Sequence, residues 1–250
     1  MTAARVIIWR HGRTEWNVDA RFQGQADLPL DQVGYAQAVR AAEVLAAYRP
    51  AAVYSSDLSR SYQTAAVLAE RDGLHMVPSF HPDLVDGVST YPVELFQAVP
   101  DLDVVYVPIG LGSGACAFLQ ARHALGLKTR IVGVVSAHAP AYALSFEAGE
   151  PVSHPVSTAL ADGLACSTPD PTALEAIRAG VDHIVQVTDD EIGAAMRTLF
   201  VSTHNLAEGA GAAGWAAAWK ERESLAGHRV AVVLTGGNVD ADVFARQLQR

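Results

Sequence analysis

The chain has 250 residues and a mass of 26.4 kDa, and 50% of its residues are hydrophobic, so it can form one large domain or two smaller ones. Its formal net charge of -9 argues against nucleic acids and anionic membranes as partners. The apolar run near the start is short, which predicts neither a signal peptide nor a membrane span. Cys116 and Cys166 lack metal-ligand spacing and are typical of buried residues in a reducing compartment. We therefore expect a cytoplasmic protein without a metal site.

The first predicted strand covers residues 5 to 9, a β-branched and apolar run suited to burial on both faces. The sequence RHGRTEWN follows it directly, and ligands bind at such carboxyl ends of strands in open α/β sheets. A helix is predicted over residues 31 to 48 with Asp31 as its N-terminal cap, and a second strand over residues 51 to 55. The segment SSDLSRSYQT then opens another helix. This alternation predicts an α/β fold.

Two motifs in the first 70 residues carry arginines around one histidine. The motif residues are Arg10, His11, Gly12, Thr14, Trp16, Asn17, residues 22 to 24 (FQG), residues 27 to 30 (DLPL), Ser55, Ser56, Leu58, Arg60 and Thr64. Together they resemble the histidine phosphatase superfamily, which includes the cofactor-dependent phosphoglycerate mutases. The resemblance implies that His11 is a nucleophile that forms a phosphohistidine. It also implies that Arg10, Arg60 and Asn17 bind the phosphate.

Two further groups that a histidine phosphatase needs have only weak candidates here. The superfamily supplies a general acid, usually a glutamate, after the second helix, where this chain offers Asp83 or Asp86. It supplies a second pocket histidine from a late strand, for which His138 and His204 are the candidates. The sequence therefore predicts a phosphatase site in which the general acid and the second histidine have only weak candidates.

Residues 64 to 80, TAAVLAERDGLHMVPSF, join this first part to a different pattern. An alanine-rich helical run leads to Gly73, which can end a helix, and a short apolar run follows. We predict a phosphatase-like segment over residues 1 to 70 and a second segment over residues 71 to 250.

The second segment contains an apolar strand over residues 104 to 109 that runs directly into a glycine-rich turn and a helix. A helix start has unpaired N–H donors and the positive end of the helix dipole, so this arrangement favours an anion such as phosphate. Tight packing of strand against helix is the alternative use of these glycines. The turn residues are Gly110, Gly112, Ser113 and Gly114.

Four later features follow the turn in a fixed order. They are the tripeptide ADG at residues 161 to 163, a capping box from Thr188 to Glu191, the sequence EGAGAA from Glu208, and a strand over residues 230 to 234 that ends in TGGN. With the turn they resemble the threonine and serine dehydratases, which use pyridoxal phosphate, over about residues 74 to 250. The resemblance implies that the turn holds the cofactor phosphate, that the Thr235 hydroxyl bonds the pyridine nitrogen, and that Glu208 lies near the ring.

The dehydratases also use a lysine that forms a Schiff base with the cofactor, placed upstream of the glycine-rich turn. This chain has only Lys128 and Lys220. Both lie in contexts typical of solvated surface residues, so we do not expect lyase activity from this segment.

The expected fold is α/β, with a mostly parallel sheet, helices on both faces and two partial α/β units. Each unit lacks strands that would cover a sheet edge, which favours a homodimer. The first expected function is phosphoryl transfer through His11 on a small phosphorylated metabolite, with no cofactor. One alternative is a pyridoxal-phosphate-dependent ammonia-lyase acting on an amino acid. Another is phosphate binding without catalysis, or a fusion without function.

Overall fold

A computed structural model describes residues 6 to 19, 27 to 56, 58 to 74 and 80 to 249. The chain divides into two compact units, Met1–His81 and Pro82–Arg250. The first unit is referred to below as unit 1 and the second as unit 2. The predicted segment boundary at residues 70 and 71 stays a prediction.

Unit 1 contains the helices α1 (Glu15–Val18), α2 (Gln32–Ala46) and α3 (Ser59–Asp72). The Asp31 side chain accepts a hydrogen bond from Gly34 N at 2.7 Å, which confirms it as the cap of α2. Helices α2 and α3 pack together through small residues, because alanines such as Ala38 and Ala65 are buried on each. The helix α3 ends at Gly73 in the left-handed conformation, as predicted.

The two strands predicted in unit 1 are wrong. Residues 6 to 9 form no strand, and Val6 and Ile8 are 79% and 95% exposed. Over residues 51 to 55 only Val53 makes a bridge. A β-branched run becomes a buried strand only when neighbouring strands and covering helices are present, and none pairs with residues 6 to 9 in the described part of the chain. Residues 5, 22 to 24 and 57 lie outside the described residues.

Unit 2 is built on a parallel sheet of four strands in the order β3-β2-β1-β4. The strands are β1 (Val104–Pro108), β2 (Arg130–Ser136), β3 (His183–Val187) and β4 (Val230–Val232). Val105 of β1 is aligned with Ile131 of β2 on one side and with Ala231 of β4 on the other. Every residue of β1 is buried, as its continuous apolar run predicts for a central parallel strand.

Helices cover both faces of this sheet, which confirms the expected α/β class. Helix α10 packs on β1, β2 and β3, and α6 packs on β1 and β2. The Phe118 ring of α6 makes edge-to-face contacts with Tyr91 and Phe96 of α5. The helices of unit 2 are α4 (Pro82–Val88), α5 (Thr90–Ala98), α6 (Ser113–Ala124), α7 (Ala141–Ala148), α8 (Pro171–Gly180), α9 (Asp189–Thr203), α10 (Gly209–Lys220) and α11 (Ala241–Leu248).

The predicted capping box opens α9. The Thr188 backbone N–H donates to a Glu191 carboxylate oxygen at 2.7 Å, and the Glu191 N–H donates to the Thr188 hydroxyl at 3.3 Å. Both bonds fix the start of α9, and they therefore fix the backbone conformation between the end of β3 and this helix.

Candidate cofactor site

Four segments of unit 2 meet at the carboxyl ends of the parallel strands. They are residues 110 to 114, 160 to 163, 208 to 211 and 235 to 238, referred to below as the cradle. Three glycines allow the backbones to approach, because a Cβ at Gly110, Gly209 or Gly211 would collide with the carbonyl oxygen of Gly163, Leu160 or Gly236, respectively. The structure thus brings together four of the five motifs of the dehydratase resemblance, whereas the capping box lies at the start of α9.

The glycine-rich turn leads from β1 into α6. Gly112 lies just before the helix with a φ of 100°, a left-handed conformation that favours glycine. The backbone N–H groups of residues 111 to 114 donate to no other described residue. Unpaired amides at the start of a 12-residue helix fit the phosphate of a ligand, because the helix dipole adds to their attraction.

Tyr142 stabilises the glycine-rich turn through a hydrogen bond to its backbone. Its hydroxyl donates to the Leu111 carbonyl oxygen at 2.6 Å, and its side chain is almost fully buried. Burial raises the pKa of Tyr142 far above its usual value, so the hydroxyl stays protonated and keeps donating. The bond engages the carbonyl of the turn and leaves the amides of residues 112 to 114 unpaired.

Glu208 connects the start of α10 to the loop after β4. Its backbone N–H donates to the Gly236 carbonyl at 3.0 Å, and its carboxylate accepts from the Asn238 N–H at 3.0 Å. The neighbouring Thr235 is exposed, and its hydroxyl bonds to no other described residue. The Thr235 hydroxyl can therefore bond a ligand, whereas the Glu208 carboxylate already holds the loop.

The two lysines lie away from the cradle. Lys220 ends α10, and its ammonium is 3.0 Å from both the Gln186 carbonyl oxygen and a Glu191 carboxylate oxygen. Lys128 precedes β2, whereas the cradle follows the strands. The cradle therefore fits the phosphate and the ring of pyridoxal phosphate, but no lysine of this chain fits the Schiff-base role.

The residues of the predicted phosphatase site lie in unit 1. The His11 ring is 2.7 Å from the Gly12 carbonyl oxygen, Arg10 is exposed, and Arg60 is buried on α3. Asn17 accepts from the Thr14 backbone N–H at 3.0 Å, so it caps its own helix. The Gly12 N–H donates to Thr64, whose hydroxyl donates to the Arg60 carbonyl, so the two arginine-bearing motifs contact each other.

The remaining phosphatase candidates have ordinary positions in unit 2. Asp83 lies in the first turn of α4, and the Asp86 carboxylate accepts from the Gln120 amide at 2.6 Å. His138 follows β2, and His204 ends α9. All four residues lie in unit 2, whereas His11 lies in unit 1.

No group of His, Cys, Asp and Glu in the described residues could hold a metal ion. Within the same ranges, no helix is both long and apolar enough to span a membrane.

Sequence reasoning missed two contributors to the cradle. Tyr142 lies 31 positions after the carbonyl it binds, and Leu160 contacts Gly209 through its backbone alone. Local patterns carry no signal for such pairs, because the contacts form only when the sheet brings the loops together.

Comparison with known proteins supports the dehydratase side of the sequence. The family described as pyridoxal-phosphate dependent enzyme matches residues 35 to 236. L-threonine ammonia-lyase of Thermotoga maritima is 30% identical over 191 residues, which are 76% of this chain and 47% of that protein. The chain spans about half the length of such curated relatives.

Solved structures give the same picture. The processed form of threonine deaminase isoform 2 from Solanum lycopersicum matches with a TM-score of 0.71 at 25% identity, over 77% of this chain and 53% of that one. Maize serine racemase matches with a TM-score of 0.69 at 26% identity, over 83% and 66% of the two chains.

The prediction of phosphoryl transfer through His11 as the main function is wrong. Glucosyl-3-phosphoglycerate phosphatase of Mycobacterium tuberculosis is 51% identical, but only over 74 residues, which are 30% of this chain and 33% of that protein. No described strand carries the His11 motif, and the pyridoxal-phosphate family covers most of the chain. The individual roles of His11, Arg10, Arg60 and Asn17 stay predictions. The chain belongs to the family of pyridoxal-phosphate dependent enzymes.

Proposed function

We propose that this chain forms the cofactor-binding part of a pyridoxal-phosphate-dependent ammonia-lyase that acts on threonine or serine. The observation that carries the proposal is the cradle, which joins an anion-binding turn to a free threonine hydroxyl at the ends of parallel strands. The substrate class comes from the relatives, which include an L-threonine ammonia-lyase and a fungal L-serine ammonia-lyase. The partner is then an amino acid, not a phosphorylated metabolite.

Each part of the cradle has a defined task in this proposal. The amides of residues 111 to 114 bind the cofactor phosphate, and Thr235 donates to or accepts from the pyridine nitrogen. Glu208 fixes the loop that carries Thr235. When bound, pyridoxal phosphate supplies an electron sink for a negative charge at the substrate α-carbon. The described residues bind and orient the cofactor.

A charge at the start of α6 tests the phosphate site without removing the helix. Ser113→Asp adds an acidic residue to the first turn, where it favours helix formation, yet it repels a bound phosphate. We expect pyridoxal-phosphate affinity to fall at least about tenfold, which corresponds to about 1.4 kcal/mol. Ser113→Asn is the matched control, since it adds similar bulk without charge. Equal affinity of the two variants in a dialysis assay would contradict the phosphate assignment.

The lyase assignment has its own measurement. Ammonia and 2-oxo acid release from L-threonine or L-serine is compared for pyridoxal phosphate alone and for the cofactor with the chain. The proposal expects faster release with the chain, and loss of this gain in Ser113→Asp but not in Ser113→Asn.

A second candidate function is pyridoxal-phosphate binding without turnover. The position of both lysines favours it, because neither ammonium lies at the cradle. Tight binding with ammonia release no faster than that of the free cofactor would replace the lyase by this candidate.

A further inference from the structure

Lys220 is held far from the turn by α10. The helix has 12 residues, so its last residue lies roughly 18 Å from its first at about 1.5 Å per residue. Its first residue, Gly209, belongs to the cradle. The Lys220 ammonium is bound to Gln186 of the edge strand β3, two strands away from β1. A ligand in the glycine-rich turn is therefore out of its reach.

Lys128 lies before the amino end of β2, at the opposite end of the parallel strands from the cradle. It precedes β2, whose seven residues span roughly 23 Å at about 3.3 Å each. Because the strands are parallel, the cradle lies beyond the carboxyl end of β2 and Lys128 lies before its amino end. The two lysines are the only ones in the sequence.

The Cys116 thiol offers no substitute for an amine. Cys116 lies in α6 close behind the turn, but its Sγ points to the Ala173 carbonyl oxygen at 3.8 Å and is buried. Burial raises the pKa of the Cys116 thiol to about 11, so it stays a poor nucleophile. An aldehyde on a bound ligand consequently meets neither of the two lysines nor the Cys116 thiol among the described residues.

We propose that the cradle binds phosphorylated pyridines as a class, reversibly and without a covalent bond to the chain. This inference rests on the proposed function, because it uses the same amides of residues 111 to 114 and the same Thr235 hydroxyl. These groups bind the phosphate and the ring nitrogen, which the aldehyde, amine and alcohol forms of the cofactor share. In this proposal neither the amides of residues 111 to 114 nor the Thr235 hydroxyl contacts the substituent that distinguishes the three forms.

The selectivity follows from these contacts. Pyridoxal, pyridoxamine and pyridoxine 5′-phosphates bind with affinities within about threefold of one another, since only groups common to all three are recognised. Inorganic phosphate binds more weakly than each of them, because it lacks the ring that Thr235 bonds. In an enzyme that uses a Schiff base, by contrast, the aldehyde form is held by a covalent bond as well.

The first experiment measures the dissociation constants of the three phosphorylated pyridines and of inorganic phosphate for the whole unsubstituted chain by equilibrium dialysis. Affinities within about threefold for the three pyridines support the inference. Binding of the aldehyde form more than about tenfold tighter than the alcohol form overturns it, while the proposed function stands. Binding of none of the four ligands overturns both.

The second experiment removes every lysine with Lys128→Arg and Lys220→Arg, which keep the charges and the ion pair to Glu191. We expect unchanged affinity for pyridoxal phosphate and no stoichiometric labelled residue after borohydride reduction of the unsubstituted chain. A single labelled residue, found by peptide mass analysis, overturns the inference. So does loss of binding in a lysine-free chain with an unchanged circular dichroism spectrum. The ligand comparison above does not depend on the folding of this variant.

Discussion

Units 1 and 2 both carry a motif that resembles a site at the end of a strand, but only unit 2 provides the strand. In unit 2, β1 is buried along its whole length and the glycine-rich turn follows it. In unit 1, residues 6 to 9 precede the histidine motif without forming a strand, and Ile8 is 95% exposed. A parallel strand is stable when both of its faces are covered. A motif at a strand end therefore forms a site only when its neighbouring strands are present.

The two units also differ in how much of a known protein each resembles, which explains why, among the described residues, only unit 2 contains a sheet. The segment similar to a phosphatase amounts to 33% of that protein, whereas the family of pyridoxal-phosphate dependent enzymes matches residues 35 to 236. Unit 2 thus contains a sheet with helices on both faces, and the described part of unit 1 contains helices without a sheet.

The largest expected effect compares one apolar side chain in each unit. Phe118→Ala removes a ring with no exposed surface that packs on Phe96 and Tyr91, so the free energy of unfolding should fall by about 3 to 5 kcal/mol. Ile8→Ala removes an exposed side chain and should change it by less than about 0.5 kcal/mol. Urea unfolding followed by circular dichroism measures both. A larger loss from Ile8→Ala would mean that residues 6 to 9 are buried in a strand after all.

The next effect is on the glycine-rich turn. Tyr142→Phe removes the donor to the Leu111 carbonyl oxygen, which should cost about 1 to 3 kcal/mol of unfolding free energy. It should also weaken phosphate binding, because the turn loses its support. Tyr35→Phe is the control, since Tyr35 of unit 1 is 55% exposed and its hydroxyl bonds to no other described residue. If Tyr142→Phe lowers stability without affecting ligand affinity, the tyrosine supports the fold and not the turn.

Much of unit 2 could be predicted from the sequence because its signals are local. The apolar run of β1, the capping box of Thr188 and Glu191, and the glycines of the turn each specify structure within a few residues. The approach of Gly209 to Leu160 depends on segments that are distant in sequence, so it could not be predicted.

The strand predicted at residues 6 to 9 was wrong because its stability also depends on segments that are distant in sequence. Its local pattern is that of a buried strand, but burial depends on partners that the pattern does not contain. The function prediction failed with it, because the histidine motif was weighed by its own residues without the sheet that must support them.

A smaller effect is expected at the start of α8, in unit 2. The Asp170 carboxylate accepts from the backbone N–H groups of Thr172 and Ala173 at 2.9 and 3.0 Å. Asp170→Ala should lower the free energy of unfolding by about 1 kcal/mol, because two helix donors lose their acceptor. Asp170→Asn keeps an acceptor oxygen and should recover most of the loss in the same urea experiment. If the alanine and asparagine variants are equally unstable, charge and not capping accounts for the effect.

The smallest effect is a pH dependence in unit 2. His183 lies 2.8 Å from a carboxylate oxygen of Asp182 and 2.9 Å from one of Glu221. Partial burial lowers the pKa of His183, but the hydrogen bonds and charges of the two carboxylates outweigh it and raise this pKa above the usual 6.5. Protonated His183 therefore contributes stability that is fully present below about pH 6.5 and is lost as the pH rises through the raised pKa of the folded state.

His183→Gln tests this pH dependence. The substitution should lower the free energy of unfolding by no more than about 1 kcal/mol at pH 5.5, because the pairs are partly exposed, and should have a smaller effect at about pH 9.

Asp31 in unit 1 should give a pH dependence of stability with the opposite sign. The Gly34 N–H bond to Asp31 lowers the pKa of that carboxyl, desolvation opposes this shift, and Arg13 adds to it. The contribution of Asp31 is present above the ordinary pKa of 3.8 and is lost as the pH falls through the lowered value. Urea unfolding measures both slopes, between about pH 5.5 and pH 9 for His183→Gln and below about pH 5 for Asp31→Ala. Equal losses from His183→Gln at acid and alkaline pH would show that its ion pairs contribute nothing.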